Sequence, residues 1–227
     1  MIFYFRMTIK AKAAQIADLL DAHYPQEIQF LHFRNNFELL IAVILSAQTT
    51  DEQVMRVVPA LFARFPSPEK MAKADIPVLE KLIHATGFFH AKAKNIKAAS
   101  QKLLELYDGV VPNTIEELVK LPGVGRKTAN VVVGTVFDKP AVIVDTHFKR
   151  VTYRLGLTKN TEPDKVEADI RKILAPEKQY RFSMTANLHG RVCCHARKPE
   201  CEKCLLKDLC SYGRTSRMKE RVPGERL

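Results

Sequence analysis

Residues 121–130 read LPGVGRKTAN, and this short stretch decides how the rest of the chain is interpreted. Residues 114–120 favour a helix, and a second helix is expected to begin at once after Gly125. Gly123 and Gly125 remove side chains where the backbone must bend sharply or approach another molecule closely. The amides of such a turn, with the start of the next helix, suit an anion such as a phosphate. The stretch therefore predicts a helical hairpin that binds a phosphate and presents Lys127 beside it.

Three other interpretations of this stretch stay open at this point. The glycine pattern nearly matches the dinucleotide-binding fingerprint, and Asp145 follows about 20 residues later, as that fold requires. However, the third small residue is displaced to Ala129, and the preceding segment favours a helix rather than a strand. Residues 125–128 also resemble part of a P-loop, but no glycine stands at the upstream position. The third alternative is a purely structural helical hairpin.

Composition narrows the class of partner. The 227 residues can bury one large core or two smaller ones, and 46% hydrophobic with 27% charged residues is ordinary for a globular protein. The net charge of +11 is less ordinary and favours a polyanionic partner, above all nucleic acid, with anionic lipid as the alternative. No apolar run approaches the roughly 20 residues that a membrane span needs.

The N-terminus has two interpretations. Residues 1–17 contain basic residues and no acidic ones, which is compatible with an organelle-targeting segment. An upstream start codon, with Met7 beginning the domain proper, explains the same residues equally well. The opening apolar residues are too few for the core of a signal peptide.

All five cysteines lie between residues 193 and 210, which predicts a local metal site in a reducing compartment rather than a disulfide framework. Four of them follow the spacing C-x6-C-x2-C-x5-C: Cys194, Cys201, Cys204 and Cys210. A single compact loop with one C-x2-C pair favours an iron–sulfur cluster over zinc, although zinc stays open on spacing alone. Cys193 falls outside the pattern and is interpreted as a small buried residue. Arg197 and Lys198 lie inside the loop and predict a platform for DNA phosphates.

The hydrophobic periodicity predicts an all-α protein with about ten helices. Residues 131–133 and 141–144 are rich in β-branched residues and tempt a strand assignment. The first segment is predicted to be a buried helix and the second a short extended link, because burial overrides a weak strand preference.

The hairpin, the segment VDTH at 144–147 and the cysteine loop occur in an order that resembles the endonuclease III family. These are iron–sulfur DNA glycosylase/AP lyases of the helix-hairpin-helix superfamily. The resemblance runs from about Asn36 to Cys210. It implies two helical domains with a DNA-binding cleft between them. One is a six-helix barrel (29–139) with the hairpin at about 114–136, and the other is a [4Fe-4S] cluster domain (1–28 and 140–212). Residues 213–227 are expected to be a disordered basic tail.

The resemblance also implies roles for individual residues. Lys127 matches the nucleophile, which attacks C1′ of the damaged nucleotide as a neutral amine, and Asp145 matches the essential carboxylate. The alternatives are a phosphate-binding lysine and a helix N-cap. The four patterned cysteines match the cluster ligands, and the hairpin residues that would bind the DNA backbone are Gly123, Val124, Gly125, Arg126 and Thr128.

Flipping a nucleotide out of the duplex leaves a hole that a side chain must fill. Gln48 matches the position of such a wedge, and Phe88 stands where the family commonly has leucine. The alternative for Phe88 is a core aromatic residue.

The resulting hypothesis is a monomeric enzyme that removes oxidised pyrimidines from damaged duplex DNA and cleaves the strand. It would act in the bacterial cytoplasm at the nucleoid, or in an organelle or nucleus if the source is eukaryotic. A non-enzymatic module that binds damaged DNA or junctions is the alternative from another class. Lys127 discriminates the two, because phosphate binding alone would tolerate arginine there.

Overall fold

The computed structural model describes residues 7–213, and this part of the chain contains helices and no strand. The all-α prediction is confirmed. Residues 131–133 lie inside a helix, and residues 141–144 form a buried extended link. In that link, the Ile143 N–H donates to the hydroxyl of Ser183 at 3.1 Å. A side chain, rather than a neighbouring strand, therefore satisfies this buried donor. No helix among residues 7–213 combines the length and the apolar character needed to cross a membrane.

Eleven α-helices lie entirely within residues 7–213, somewhat more than the sequence predicts, together with two short 3-10 turns at His84–Thr86 and Cys201–Lys203; residues 211–213 are also helical. In chain order the helices are α1 (Ile9–His23), α2 (Asn36–Leu45), α3 (Asp51–Arg64), α4 (Pro68–Ala72), α5 (Ile76–Ile83), α6 (Phe89–Tyr107), α7 (Ile115–Leu118), α8 (Arg126–Val136), α9 (Thr146–Leu155), α10 (Pro163–Ile173) and α11 (Pro176–Val192).

Polar side chains fix where several of these helices begin. Ser67 caps α4 by accepting from the Lys70 N–H, and a proline follows it at the first helical position. The Thr114 hydroxyl accepts from the Glu117 N–H at 3.3 Å and donates to the Glu117 carboxylate at 2.9 Å. This reciprocal pair sets the start of α7 and hence the direction in which the chain enters the turn at 121–125.

The chain divides into two compact units. The hairpin unit is Gln29–Lys139, which contains α2 to α8. The cysteine unit combines Met1–Ile28 with Pro140–Leu227, and its described helices are α1, α9, α10 and α11. The basic tail predicted for residues 213–227 lies outside the described residues except for Gly213.

The core of the hairpin unit is built around α2. Every residue of this helix from Phe37 to Leu45 is buried, and α8 and α6 pack against it. Glu38 lies in this buried stretch at 3% exposure, and its carboxylate accepts from both the backbone N–H and the guanidinium of Arg34. A buried carboxylate with both oxygens satisfied is tolerated in an apolar helix, so Glu38 does not interrupt the core.

The cysteine unit has its own core, in which α11 packs against α9 and α1. Phe148 of α9 and Phe182 of α11 are almost fully buried and meet edge to face, with ring centroids 5.6 Å apart. Burial of such side chains fixes the angle of α9, which begins at Asp145 and leads toward the cysteine loop.

Candidate functional site

The turn at 121–125 is built around Gly123. Its φ of +79° is left-handed, and a Cβ there would lie 2.9 Å from the Cβ of Asn95 on α6. The Val124 N–H donates to the Leu121 carbonyl at 3.1 Å, and the Val124 side chain is buried in the core. The Val124 side chain thus anchors the turn from inside, and its N–H is already bonded within the turn. The turn packs against α6 at Gly123, and the two glycines on either side of Val124 are exposed.

Gly125 is the N-cap of α8 and has no side chain to cap the helix. Its φ of −89° is ordinary, and a Cβ there would meet no atom within 4 Å. The first-turn N–H groups of a helix lack intrahelical partners and carry a partial positive charge. Open space in front of such a helix start forms a cradle that an anion can enter closely.

Lys127 lies in the first turn of α8, and its side chain is exposed, as is that of Arg126. Thr128 is half-buried beside them, whereas Asn130 is fully buried and its amide donates to the Arg126 carbonyl at 3.1 Å. The sequence therefore brings a primary amine and a guanidinium to the rim of the cradle at Gly125. The hydrogen bond from Asn130 fixes the backbone of the helical turn that carries both groups.

Gln48 and Phe88 occupy two loops of the same unit and share an unusual geometry. Both are exposed, Phe88 to 68%, and both have left-handed backbones with φ of +52° and +47°. The alternative that Phe88 is a core aromatic residue is wrong. Left-handed conformation is uncommon for residues other than glycine and costs free energy, so it marks places where surrounding structure imposes the conformation.

Lys92 is a residue of interest that the sequence analysis missed. Its side chain is 4% exposed, and its Nζ donates to the Thr49 hydroxyl at 2.5 Å and the Thr86 carbonyl at 2.8 Å. Burial lowers the pKa of its ammonium group. The sequence does contain a signal for this residue. Lys92 precedes Ile96 by four residues and therefore lies on the buried face of α6, where a charged residue is rare.

In the cysteine unit, Asp145 is the N-cap of α9, as its structural alternative predicted. One carboxylate oxygen accepts from the Phe148 N–H at 2.7 Å, and the other accepts from the Asn187 side-chain amide. The Asn187 carbonyl oxygen in turn accepts from Arg191 Nε at 2.8 Å. Both oxygens are therefore held in a fixed orientation, and the carboxylate remains half-buried rather than enclosed.

Close packing joins α9 to the cysteine loop. A Cβ at Gly190 would lie 2.9 Å from the Cβ of His147, so only glycine allows this approach of α11 to α9. Across the contact, Arg150 donates to the Gly190 carbonyl at 2.8 Å and to the Cys194 carbonyl at 2.9 Å. The helix that begins at Asp145 is thus tied directly to the first patterned cysteine.

The four patterned cysteines line one pocket in the cysteine unit, together with apolar side chains that include Val151 and Leu155. Three of their sulfur atoms accept N–H donors at 3.4 Å: Cys194 from Arg154, Cys204 from Leu206 and Cys210 from Gly213. Burial and the neighbouring Cys210 and Cys194 raise the pKa of the Cys201 thiol. Four thiols that line one pocket, three of them with N–H donors, and the apolar walls of that pocket fit an iron–sulfur cluster.

Cys193 is not the buried bystander that its position outside the pattern suggested. It is half-buried, like the four patterned cysteines, and lines the same pocket, and its sulfur lies within 4.8 Å of the ligand atoms of Cys204 and His189. Burial and the nearby Cys204 raise the pKa of the Cys193 thiol to about 12. The spacing still places Cys193 outside the ligand pattern, but its adjacency to Cys194 in the chain brings it to the same pocket.

His189 also lines this pocket, and no pattern in the sequence indicated its role there. It is 2% exposed, and burial lowers its pKa to about 4. Its Nδ1 lies 2.9 Å from the Tyr24 hydroxyl and its Nε2 3.5 Å from the Cys204 sulfur. A neutral ring has one N–H, so a Tyr24 hydroxyl that donates to Nδ1 leaves Nε2–H to donate to the sulfur.

Arg197 and Lys198 are both exposed on the cysteine loop, and Lys198 has a left-handed backbone with φ of +51°. Arg154 donates to the carbonyls of His195 and Ala196 at 2.6 and 3.0 Å, which fixes the backbone just before them. Their predicted contact with DNA phosphates stays a prediction. Arg197, Lys198 and Asp145 belong to the cysteine unit, whereas Gln48, Phe88 and the hairpin residues belong to the hairpin unit.

The sequence of this chain matches two protein-family models. Residues 41–176 match the family model of the HhH-GPD superfamily base excision DNA repair proteins, and residues 194–210 match the iron–sulfur binding domain of endonuclease III. The chain is 47% identical to an endonuclease III of Synechocystis over 208 residues, which is 91% of this chain and 95% of the relative.

Two solved structures that resemble this chain cover more than nine-tenths of it. One is a non-covalent endonuclease III–DNA complex, with a TM-score of 0.86 and 40% identity over 94% of this chain and 100% of the other. The second is a trapped endonuclease III–DNA covalent intermediate, with a TM-score of 0.86 and 39% identity over 93% and 100% of the two chains.

Proposed function

The chain belongs to the HhH-GPD superfamily of base excision DNA repair proteins and, within it, to the endonuclease III family, and on that premise we propose that it is a DNA glycosylase with AP lyase activity. Its substrates are oxidised pyrimidines in duplex DNA. The observation that carries this proposal is the exposed primary amine of Lys127 beside the open cradle at the start of α8.

Lys127 is the nucleophile in this proposal. Its neutral amine attacks C1′ of the damaged nucleotide, and the bond from C1′ to the base breaks, so that the base leaves with the bonding electron pair. Opening of the sugar ring then gives a protonated imine between Nζ and C1′. Removal of a proton from C2′ permits β-elimination, in which the 3′ phosphate leaves with the electron pair of its bond to C3′. Hydrolysis of the imine returns the free amine.

Asp145 is the carboxylate that stabilises the positive charge developing on the sugar and helps to move protons. Its hydrogen bonds to the Phe148 N–H and to Asn187 support this role, because they hold the carboxylate in one orientation without consuming all of its lone pairs. Capping α9 and stabilising a cation are compatible duties of the same group. The helix cap gives Asp145 a fixed position, and Asn187 sets the rotation of its carboxylate.

Gln48 and Phe88 fill the gap that the flipped nucleotide leaves in the duplex. Their exposure and their presence in neighbouring loops support this role. An aromatic ring at residue 88 stacks on bases more extensively than leucine does, so we expect it to influence the preference for the opposite base.

The DNA backbone is bound by the turn and by the start of α8. The turn formed by Gly123, Val124 and Gly125 contacts a phosphate close to the lesion through the amides of the two glycines, because the Val124 N–H already donates to the Leu121 carbonyl. Arg126 and Thr128 add donors from the first turn of the helix. In the other unit, Arg197 and Lys198 bind further phosphates. A net charge of +11 supports this assignment, because it attracts the polyanion from a distance.

The chain binds an iron–sulfur cluster through the cysteine unit, and we propose a [4Fe-4S] cluster with Cys194, Cys201, Cys204 and Cys210 as its ligands. When bound, the cluster supplies four metal–thiolate bonds that fix the loop carrying Arg197 and Lys198. On this assignment the hairpin unit is the six-helix barrel domain and the cysteine unit is the cluster domain. The protein works at the nucleoid in the bacterial cytoplasm.

The proposal is tested with a duplex that carries one oxidised pyrimidine and a label at its 5′ end. Wild-type protein releases the base and cuts the strand to the β-elimination product, with an unsaturated aldehyde at the 3′ end. Lys127→Gln loses both activities, whereas Lys120→Gln, an exposed lysine before the same turn, changes only affinity. Wild-type protein that binds the duplex without base release or strand cleavage would refute the enzyme and favour the non-enzymatic binding module.

A further inference from the structure

The amine of Lys92 links the two loops that carry Gln48 and Phe88. Thr49, the residue after Gln48, receives a hydrogen bond from Lys92 Nζ at 2.5 Å. Thr86, two residues before Phe88, receives one at its carbonyl at 2.8 Å. The Thr49 hydroxyl also donates directly to the Thr86 carbonyl at 2.5 Å. One buried amine and one hydroxyl therefore close a small ring of hydrogen bonds between the loops.

The same lysine holds the Phe88 loop at a second point. The Lys92 backbone N–H donates to the Phe88 carbonyl at 3.0 Å as α6 begins. Thr86 is fixed in turn, because its hydroxyl donates to the Ile83 carbonyl at 2.8 Å and the residue is 2% exposed. The loop from 84 to 88 is thus fastened at both ends while the Phe88 ring stays exposed.

This fastening matters because both loops adopt unfavourable backbone conformations. Gln48 and Phe88 each have positive φ, a backbone conformation that is unfavourable for a residue with a side chain. Without hydrogen bonds that hold the loops, each residue would relax to a more favourable conformation and turn its side chain away. Burying an amine costs desolvation free energy even when the amine donates to two acceptors. Core packing alone therefore does not explain a lysine at this position.

We propose that Lys92 is a positioning residue that fixes the spacing of Gln48 and Phe88 before DNA binds, so that both side chains enter the duplex together. This inference rests on the proposed wedge role of the two residues. Lys92 does not touch DNA in this account, since its side chain is buried within the hairpin unit. It acts through Thr49 and Thr86 on the residues that do.

The test compares Lys92→Met, which keeps the length of the side chain and removes its donors, with Lys94→Met, the same change at an exposed site two residues along α6. The readouts are the single-turnover rate of base release at saturating protein and the fluorescence of 2-aminopurine placed opposite the lesion. Lys92→Met is expected to lower the rate about 10- to 100-fold and to abolish the fluorescence rise, because small misplacement of positioning groups has effects of this size. Lys94→Met keeps both signals.

Thr49→Val provides a second variant, since it removes only a hydroxyl from a half-buried residue. It is expected to shift both readouts in the same direction as Lys92→Met, with a smaller effect. Thermal unfolding of each variant shows that it is folded at the assay temperature.

A double-mutant cycle separates positioning from a general loss of stability. If Lys92 acts through the wedges, Lys92→Met has less than a 2-fold effect on the rate in a Gln48→Ala, Phe88→Ala background. A full 10-fold loss in that background, or wild-type fluorescence in Lys92→Met, would overturn the positioning role. Wild-type protein that neither releases the base nor changes the fluorescence would instead overturn the proposed function.

Discussion

Gly123 and Gly125 have different physical roles in the hairpin turn. Replacing each glycine in turn therefore distinguishes an effect on folding stability from an effect on DNA binding. Gly123 has a φ of +79°, and a Cβ there would lie 2.9 Å from Asn95 Cβ and 3.1 Å from its Cγ and Nδ2. The left-handed backbone costs an alanine roughly 1–2 kcal/mol, and overpacking against Asn95 adds about 1–3 kcal/mol. Asn95 cannot swing clear, because the closest atom is its own Cβ.

Gly123→Ala is therefore expected to destabilise the protein by about 2–5 kcal/mol. For a chain of this size, that lowers the melting temperature by about 4 °C or more. Gly125→Ser is the matched variant, because the φ at residue 125 is −89° and no atom lies within 4 Å of a Cβ there. Serine is also a preferred N-cap, so its melting temperature stays within about 2 °C of wild type.

The same serine is expected to weaken DNA binding about 10-fold, because it occupies the cradle and competes for the first-turn N–H groups of α8. A hydrogen bond to a charged phosphate is worth about 1.5–3 kcal/mol, and 1.4 kcal/mol corresponds to a factor of ten. The assays are thermal unfolding and fluorescence anisotropy with a duplex that carries an abasic-site analogue. Equal melting temperatures for the two variants would refute the geometric argument. Wild-type affinity in Gly125→Ser would show that no phosphate enters the cradle.

Three further predictions follow from other parts of the molecule. Asp145→Asn retains an oxygen that caps α9, so the melting temperature falls by no more than about 2–4 °C, while base release drops by at least about 100-fold; a variant with full activity would remove Asp145 from the chemistry. Cys204→Ala is expected to purify without the brown colour of an iron–sulfur cluster, whereas Cys193→Ala keeps it; colour lost only in Cys193→Ala would reassign the ligands. DNA affinity is expected to fall steeply and linearly on a logarithmic scale as salt rises from 50 to 200 mM, by about 1000-fold if some six phosphates are contacted; a flat response would contradict the backbone clamp.

Much of the helical fold could be predicted from the sequence because its signals are local. The serine at residue 67 with its following proline, and the threonine at residue 114 with Glu117, mark helix starts through contacts within four residues. The helical state of residues 131–133 was harder, since their β-branched side chains favour strands weakly. Burial between helices overrides that preference, and the apolar sequence around them indicated it.

What the sequence could not predict depends on contacts between distant residues. Lys92 gains its role from Thr49, 43 positions away, and Asp145 is oriented by Asn187, 42 positions away. Phe88 belongs to a residue type that is common in protein cores. It is nevertheless exposed, and the loop that carries it has a left-handed backbone at this residue. The position of Cys193 beside Cys204 likewise depends on how the loop closes rather than on spacing along it. The local sequence pattern shows where such lysine, aspartate, phenylalanine and cysteine residues occur. Only the folded structure shows which distant residue each of them contacts.

The central claim is that the amine of Lys127 forms a covalent bond with the sugar of a damaged nucleotide. It is tested most directly by incubating the protein with a duplex that contains an abasic site, adding borohydride to reduce the imine, and mapping the adduct by mass spectrometry after proteolysis. We expect a stable protein–DNA adduct on Lys127 that is absent in Lys127→Gln and present in Lys120→Gln. An adduct on another residue, or one that forms equally in Lys127→Gln, would contradict it.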